Sequence, residues 1–491
     1  MPKNSTSKQV FWFSLINYLG VVIGILSTLF IYPENTEFLG IVRTIEAYSQ
    51  VIFPLLLLGA SQALVHFYPV LDKQYRNRLL LYSLFSVLGN SIVLFCVLFL
   101  IFKIFDFGYS GLVGIAFPIG IAIALNEVFK RQSLNLQKIA YPTLFEKLIP
   151  KLLLPLAFIL IGAMVITEFQ GILLFVFAYV LILILTSIYT VKHDQTRWES
   201  HFRSIFVTIP KKEYFRYSLF AFTGSLGSLL AFRIDTIMLN ILDYSMDSIG
   251  IYSIGVVLAS TLAIPATGIF AIHSPLISDY VKNNKIAELA SKYKETAKLL
   301  FAVGAVFYSC IFLGIDDLFS LLPAYDKLVL SIPVILVLGI GIVINMGTGF
   351  NSEIITYSDF YRFNVAAILL MIFLNIGLNL LFLLYFKIGI IGVAYSSCLS
   401  ITAFNLLKTY FIYQKFGILP FDKKYAKLLL IVLLTGILLY FIPNIPSAFW
   451  NLITKVSLCL LINFGLIYKL KLVPFLNQKI EHFKQKRKIR K

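Results

Sequence analysis

The sequence predicts an all-α polytopic membrane protein with about fourteen transmembrane helices. Of its 491 residues, 59% are hydrophobic and only 13% are charged, whereas soluble domains carry about 45–50% apolar and roughly 25% charged residues. The apolar residues form runs long enough to cross about 30 Å of hydrocarbon at about 1.5 Å per residue. No run alternates with the period of two that a barrel strand requires, so the predicted spans are helices.

The predicted spans follow one another along nearly the whole chain. We expect the first to remain in the protein, because it is too long for a signal-peptide core and no small-residue cleavage site follows it. The fourteen runs cover approximately 10–32, 44–65, 79–102, 112–129, 148–166, 171–191, 217–242, 249–271, 297–315, 328–350, 363–386, 388–412, 426–442 and 449–468.

The net charge of +18 is divided unequally between the two sets of alternating loops. If the amino terminus is cytosolic, about 36 of the 42 Lys and Arg residues fall on the cytosolic side, Lys298 and Lys408 among them, and four fall outside. The outer loops carry acidic residues such as Glu34, Asp247 and Asp317. This asymmetry satisfies the positive-inside rule and predicts that both termini are cytosolic.

Several functional classes lack support in the sequence. The four cysteines are isolated within apolar runs, and there is no HExxH or CxxC motif and no nucleotide-binding GxxxxGK[ST] loop. We therefore expect no metal site and no enzyme activity. The basic carboxyl-terminal tail favours contact with anionic lipid headgroups rather than with nucleic acid, because no nucleic-acid fold accompanies it.

The two halves of the chain share an order of elements. An offset of 210 residues aligns Gly40 with Gly250, and with them the preceding helix, a short acidic loop and a following helix that contains Pro54 or Pro265. Six spans precede the second copy, so both copies start from the same side. This predicts a parallel repeat about an axis along the membrane normal, with a substrate cavity between the halves.

The repeat predicts a division of the chain into five parts. These are an amino-terminal six-helix lobe (1–191), a cytosolic linker (192–216), a carboxyl-terminal six-helix lobe (217–412), two additional transmembrane helices (413–468) and a basic cytosolic tail (469–491).

Three segments carry a resemblance to a known superfamily. They are LGVVIGILSTLFIYP, EFLGIVRTIEAYSQVIFPLLLLGASQALVHFYP and RIDTIMLNILDYSMDSIGIYSIGVVLASTLAIPATGIFAIHSPLISDY. The sequence resembles the multidrug/oligosaccharidyl-lipid/polysaccharide (MOP) exporters, and among them the polysaccharide transporters, or Wzx-like flippases. The resemblance implies a MATE-like fold of two lobes. It also implies export of a polyprenyl-pyrophosphate-linked oligosaccharide, such as an O-antigen, capsule or exopolysaccharide unit, across the bacterial inner membrane.

Arg233 and Asp235 are the most informative candidate substrate-binding residues, because both lie inside the seventh predicted span. An ionisable group in hydrocarbon is costly and faces a cavity or a partner. Residues two apart point to different sides of a helix, so these two cannot neutralise each other. We expect Arg233 to meet a pyrophosphate, whose oxygens match a guanidinium fork. A structural pairing with another helix is the alternative.

Polar residues in other spans are weaker candidates. Asn17, Gln62 and Asn345 are placed to line a route for sugars, although such residues are more often hydrogen-bonding contacts between helices. Glu46 lies one turn from Arg43, which favours a simple pair near the outer surface.

Three functional hypotheses are compatible with the sequence. The first is a lipid-linked oligosaccharide flippase that works by alternating access, without a cofactor and with coupling to a H⁺ or Na⁺ gradient left open. Its partners would be the lipid-linked oligosaccharide, membrane lipids, a polysaccharide polymerase and glycosyltransferases. The alternatives are a cation-coupled multidrug exporter, for which twelve spans are usual, and a membrane glycosyltransferase or polymerase, which needs a larger external loop.

Overall fold

The structure, a computed structural model, describes residues 19–104, 110–194, 204–474 and 477. Within these ranges the chain is helical and contains no β-strand, as predicted. The helices are α1 (Leu19–Phe30), α2 (Thr36–Leu57), α3 (Ala60–Phe67), α4 (Lys73–Ile104), α5 (Ser110–Asn135), α6 (Ala140–Gly162), α7 (Glu168–Asp194), α8 (Ile205–Thr208), α9 (Lys211–Ile241), α10 (Met246–Ser260), α11 (Ile264–Lys282), α12 (Ile286–Ser320), α13 (Tyr325–Leu328), α14 (Ile332–Gly347), α15 (Asn351–Tyr357), α16 (Tyr361–Leu380), α17 (Gly389–Phe416), α18 (Lys423–Tyr440) and α19 (Ala448–Lys469).

Within the described residues, every predicted span falls on helical segments. Among the described residues, ten helical stretches are long and apolar enough to cross a membrane. The other four predicted spans fall on α1, which is short within the described residues, and on α6, α9 and α18, which are not among the ten. The chain is therefore a multi-pass all-α membrane protein.

The second predicted span is interrupted rather than continuous. Helix α2 ends at Leu57, and Leu58 and Gly59 adopt left-handed φ values of 43° and 82° before α3 begins. A Cβ atom on Gly59 would lie 2.0 Å from the carbonyl oxygen of Ser218 in α9. The break therefore needs a glycine both for its backbone conformation and for the close approach of α9.

The chain divides by its internal contacts into two compact units, residues 1–253 and 254–491. Helices α2, α5, α7 and α9 pack together in the first unit, and α12, α14, α17 and α19 in the second. This grouping does not test the division into repeated lobes, whose boundaries stay a prediction.

In the first unit, α2 and α10 cross through a reciprocal pair of glycines. A Cβ on Gly40 would lie 1.9 Å from the backbone oxygen of Met246, and a Cβ on Gly250 would lie 1.9 Å from that of Thr36. Positions 36 and 246 are also 210 residues apart. Gly40 of the first copy thus lies against Met246 of the second, and Gly250 of the second lies against Thr36 of the first. Reciprocal contacts between equivalent residues are those made about a twofold axis.

The starts of these two helices are equivalent as well. The Asn35 side chain accepts a hydrogen bond from the Phe38 backbone N–H at 2.9 Å, and the Ser245 hydroxyl accepts one from the Ser248 N–H at 3.3 Å. Asn35 and Ser245 again differ by 210 residues. Both copies therefore begin this helix with a polar N-cap, which satisfies an amide left open by the first turn.

In the second unit, polar contacts at two levels hold the carboxyl-terminal helices α18 and α19 to α12. The Lys298 ammonium donates to Asp422 at 2.6 Å, and Asp422 also caps the start of α18. The Asn451 amide of α19 donates to Asp317 at 2.7 Å. Lys298 and Asp317 lie about 28 Å apart along α12 at a rise of about 1.5 Å per residue, so the two contacts are close to one hydrocarbon thickness apart.

The glycine crossing can be tested with single alanine substitutions. Gly40→Ala or Gly250→Ala places a methyl group against a backbone oxygen, and we expect a loss of about 3 kcal/mol in unfolding free energy from the forced helix separation. The measurement is the thermal unfolding midpoint in detergent.

Gly89→Ala is the matched control, because this glycine of α4 has open space at its Cβ. It should leave the midpoint unchanged or raise it, since alanine favours helix. Equal midpoints for Gly40→Ala and Gly89→Ala would contradict the close crossing.

The contact between Lys298 and Asp422 predicts a pH dependence of stability. Burial opposes ionisation of Asp422, but hydrogen bonds from Lys298 and from the Tyr425 backbone N–H outweigh it and hold the pKa of this carboxyl below its ordinary value. A lowered folded-state pKa adds stability above the unfolded pKa of about 3.9, and this stability is lost as the pH falls through the folded pKa. Asp422→Asn, which retains the cap, should therefore lower the unfolding midpoint at pH 7, and this deficit should shrink as the pH falls through the lowered pKa of Asp422.

Asp279→Asn is the control, because Asp279 pairs with Lys285 in an exposed position. Such exposed pairs contribute little, and we expect a small change at each pH. A deficit in Asp422→Asn that stayed constant as the pH was lowered would show that charge is not the cause.

Candidate functional site

Helices α2 and α9 bring three charged side chains together in the first unit. Glu46 accepts a hydrogen bond from Arg43 Nη1 at 2.7 Å through one oxygen and from Arg233 Nη2 at 2.9 Å through the other. Glu46 is 13% exposed, Arg43 20% and Arg233 32%. One carboxylate thus bridges two guanidinium groups on different helices.

Local helix geometry explains how this cluster forms. Arg43 and Glu46 are three residues apart on α2, so their side chains share a face. Helix α9 packs on α2, and a buried hydrogen bond of 2.8 Å from the Tyr48 hydroxyl to Asn240 fixes the two helices one against the other. Asn240 lies seven residues after Arg233, hence on the same side of α9.

The cluster carries more positive than negative charge. Arg43, Glu46 and Arg233 together have a formal charge of +1. In addition, the Arg43 Nε is buried and has no hydrogen-bond partner among the described residues. A buried donor without a partner is costly, and an arginine presents its five N–H groups in a planar fork that matches phosphate oxygens. The arrangement can therefore accept an anion, and a phosphate fits its donor geometry.

Asp235 belongs to a different contact, although it is only two residues from Arg233. It is buried on the side of α10, where it accepts a hydrogen bond of 2.6 Å from the Tyr252 hydroxyl. Arg233 thus faces α2, whereas Asp235 faces α10. Asp235 stays a predicted substrate-binding residue, and what the structure adds is its link to α10.

The remaining predicted site residues lie apart from the charge cluster. Gln62 is on α3 and accepts a hydrogen bond from Ser61 at 2.9 Å. The neighbouring His66 of this short helix stacks on Tyr217 of α9, which is about 24 Å along α9 from Arg233 at a rise of about 1.5 Å per residue. Gln62 and Arg233 are therefore not in one group.

Two candidates concern other parts of the chain. Asn17 lies outside the described residues. Asn345 is an exposed residue of α14 in the second unit, and its side-chain oxygen accepts a hydrogen bond of 3.0 Å from Asn405. Asn345 thus belongs to a network of amide side chains rather than standing alone.

Sequence reasoning missed the central position of Glu46. The spacing of Arg43 and Glu46 favoured a simple pair near the surface, and that pair is present. The second bond, to Arg233, joins residues 187 positions apart. The only signal for this bond in the sequence was that two predicted spans each contain a charged residue.

Comparisons with known proteins give the fold. No protein-family model matches the sequence, and no curated protein is similar to it at a significant level. The chain is similar in structure to the lipid II flippase MurJ in an inward closed conformation, with a TM-score of 0.72 and 15% identity over 94% of this chain and 99% of the other.

Two transporter structures are also similar. One is the inward-facing conformation of a multidrug resistance MATE family transporter of the MOP superfamily, with a TM-score of 0.60 and 14% identity over 81% of this chain and 94% of the other. The other is MATE in complex with MaD5, with a TM-score of 0.53 and 15% identity over 84% and 96%. These proteins are flippases and transporters rather than enzymes. The expectation of an all-α, MATE-like fold is thereby confirmed, because the chain shares its fold with these flippase and transporter structures.

Proposed function

We propose that the protein is a flippase that carries a polyprenyl-pyrophosphate-linked oligosaccharide across the bacterial inner membrane by alternating access. The observation that carries the proposal is the charge cluster of Arg43, Glu46 and Arg233, with its surplus positive charge and its unpartnered Arg43 Nε. The similarity to the lipid II flippase over nearly the full length of both chains supports it.

In this proposal, Arg233 changes partner when the substrate binds. Arg233 is the more exposed of the two arginines and reaches Glu46 from another helix. Arg43 lies on the same helix as Glu46 and keeps its bond. A pyrophosphate would take the Arg233 fork in two parallel charge-assisted hydrogen bonds, which are about twice as strong as neutral ones. Glu46 keeps its bond to Arg43 when the substrate is bound. When the site is empty, Glu46 bonds both arginines and so offsets part of their positive charge.

The proposal extends to location and partners. Both termini lie in the cytosol, as the distribution of basic residues predicts, and the exposed Asn345 contributes hydrogen bonds to sugar hydroxyls. Glycosyltransferases act on the substrate before export, and a polysaccharide polymerase acts on it after export.

A cation-coupled multidrug exporter is the second candidate, because MATE transporters share the fold. The charge cluster argues against it. Two guanidinium groups around one carboxylate repel an organic cation, whereas they attract a pyrophosphate. The two transmembrane helices after residue 412 also exceed the twelve expected for such an exporter.

Arg233→Ala tests the role of this residue in transport. We expect export to fall roughly 10- to 100-fold, since each lost hydrogen bond to a charged group is worth about 1.5–3 kcal/mol. The measurement is surface polysaccharide in a strain that lacks the gene and carries the variant, with its amount in the membrane fraction determined in parallel.

Two further variants sharpen this test. Arg233→Lys keeps the charge but not the fork and should restore export only in part. Arg216→Ala, which removes an exposed arginine from the same helix, is the matched control and should export normally. Normal surface polysaccharide with Arg233→Ala would overturn the assignment.

Glu46→Gln tests whether one carboxylate holds both arginines. The change keeps the shape of the side chain but leaves two partly buried guanidinium groups without an anion. Breaking a fully buried pair costs about 3–5 kcal/mol, so we expect a smaller loss here and a lower unfolding midpoint in detergent. Removing one positive charge as well, in the double variant Glu46→Gln with Arg43→Gln, should recover part of the loss.

Glu37→Gln is the control for Glu46→Gln, because Glu37 is an exposed residue in the first turn of the same helix. It should change the midpoint little. If Glu46→Gln behaved in the same way, the carboxylate would not be what holds Arg43 and Arg233 together.

A further inference from the structure

A lysine in the second unit is buried inside a predicted transmembrane helix. Lys408 lies on α17, a helix apolar and long enough to span a membrane, and is only 1% exposed. Its Nζ donates to the Ser352 hydroxyl of α15 at 2.6 Å and lies 3.7 Å from the ring centroid of Phe404. Among the described residues, no carboxylate forms an ion pair with it. A buried cation without a paired anion is expensive, and such groups are seldom kept without a function.

Lys408 is the first member of a chain of hydrogen bonds that all run in one direction. The Ser352 hydroxyl, which accepts from Lys408, donates to the Asn351 side-chain oxygen at 3.4 Å. The Asn351 amide donates to Asn405 at 2.8 Å, and the Asn405 amide donates to Asn345 at 3.0 Å. Four successive bonds therefore lead from the buried ammonium to the exposed Asn345.

The direction of this chain depends on the charge of Lys408. An ammonium group can only donate, so the Ser352 hydroxyl must accept from it and must direct its own hydrogen towards Asn351. A neutral amine can accept, which frees the Ser352 hydroxyl to turn and donate to Lys408 instead. Hydrogen bonds in a chain polarise one another, so this turn weakens the bonds that follow it.

The chain joins three separate helices. Asn345 is on α14, Asn351 and Ser352 are on α15, and Asn405 and Lys408 are on α17. The Thr348 hydroxyl, just after α14, also donates to Asn405 at 3.0 Å. The short α15 is thus bound to α17 through Asn351 and Ser352, and the bond at Ser352 depends directly on Lys408.

Other titratable groups lie close by. Glu353 follows Ser352 on α15, and burial raises the pKa of its carboxyl above the ordinary value. Tyr293 of α12 is buried near Glu353, and His273 of α11 lies 6.0 Å, between ring centroids, from Phe350 just before α15. The carboxyl of Glu353 also acts electrostatically on Lys408, so the test has to separate a change at these groups from a change at Lys408.

We propose that Lys408 is a proton-binding site whose protonation locks α14, α15 and α17 together and whose deprotonation releases α15. Loss of the proton breaks one N–H bond, leaves the electron pair on Nζ and passes the proton to water. In a transporter, which rests on the function proposed above, this site would link the movement of the helices to a proton gradient.

Hydrogen exchange of the α15 backbone amides in the purified full-length chain tests this proposal without substrate. In the wild type, we expect exchange in residues 351–357, corrected for its intrinsic pH dependence, to rise about tenfold between pH 6 and pH 9. Lys408→Arg keeps a positive charge throughout this range and should stay protected. Lys408→Met and Lys408→Gln have no charge to lose and should exchange rapidly at both pH values.

Lys415→Met is the matched control, because Lys415 is an exposed lysine two turns further along α17. It should show the wild-type rise. Where one neutral variant does not fold, the other neutral variant and Lys408→Arg carry the comparison.

Two results would overturn the proposal: no rise in the wild type, or a rise of equal size in Lys408→Arg, which would assign the transition to a group other than Lys408. The exchange measurement is also independent of the transported molecule. A chain that shows the rise but exports no lipid-linked oligosaccharide would retain the proton site and lose the proposed function.

Discussion

The contact on which the first unit depends is the crossing of α2 and α10 at Gly40 and Gly250. Each glycine lies directly against the backbone of the other helix, and the two helices begin at equivalent polar caps. In hydrocarbon there is no hydrophobic force between helices, so close backbone packing of this kind is a main source of their association. The crossing sets the position of α2, and α2 in turn presents Arg43 and Glu46 to α9.

Buried charge is the second constraint, and the chain meets it differently at each place. Glu46 serves two arginines, and Asp422 serves Lys298 while it caps α18. Lys455 of α19, which lies inside a span, donates to the Asn444 side chain. Lys408 has a hydroxyl and an aromatic ring. Lys298 has a carboxylate of its own, whereas two arginines share Glu46, and Lys455 and Lys408 donate to neutral groups. The proposed functional sites, the Arg43–Glu46–Arg233 cluster and Lys408, are among the places where charge is not fully compensated.

Much of the fold could be predicted from the sequence, because apolar runs, acidic outer loops and the 210-residue offset are local or periodic signals. The 210-residue offset, for example, already identified Gly40 and Gly250 as equivalent positions. Pairing between distant helices is not encoded in spacing, and so the bond from Arg233 to Glu46 could not be found. Lys408 was counted with the cytosolic charges because it is near the end of a span, yet it is buried by Ser352 and Phe404. The break at Gly59 was missed because its cause is the approach of α9.

The two polar contacts between α12 and the carboxyl-terminal helices have a mechanical consequence. They lie near opposite ends of the membrane-spanning part of α12, and each requires a side-chain distance of under 3 Å. A slide of α18 along α12 by a single residue, about 1.5 Å, would stretch the contact at Asp422, and the same slide of α19 would stretch the contact at Asn451. Helices α12, α18 and α19 therefore move as one rigid group, and any tilt of α12 in a thinner or thicker bilayer has to be shared by all three.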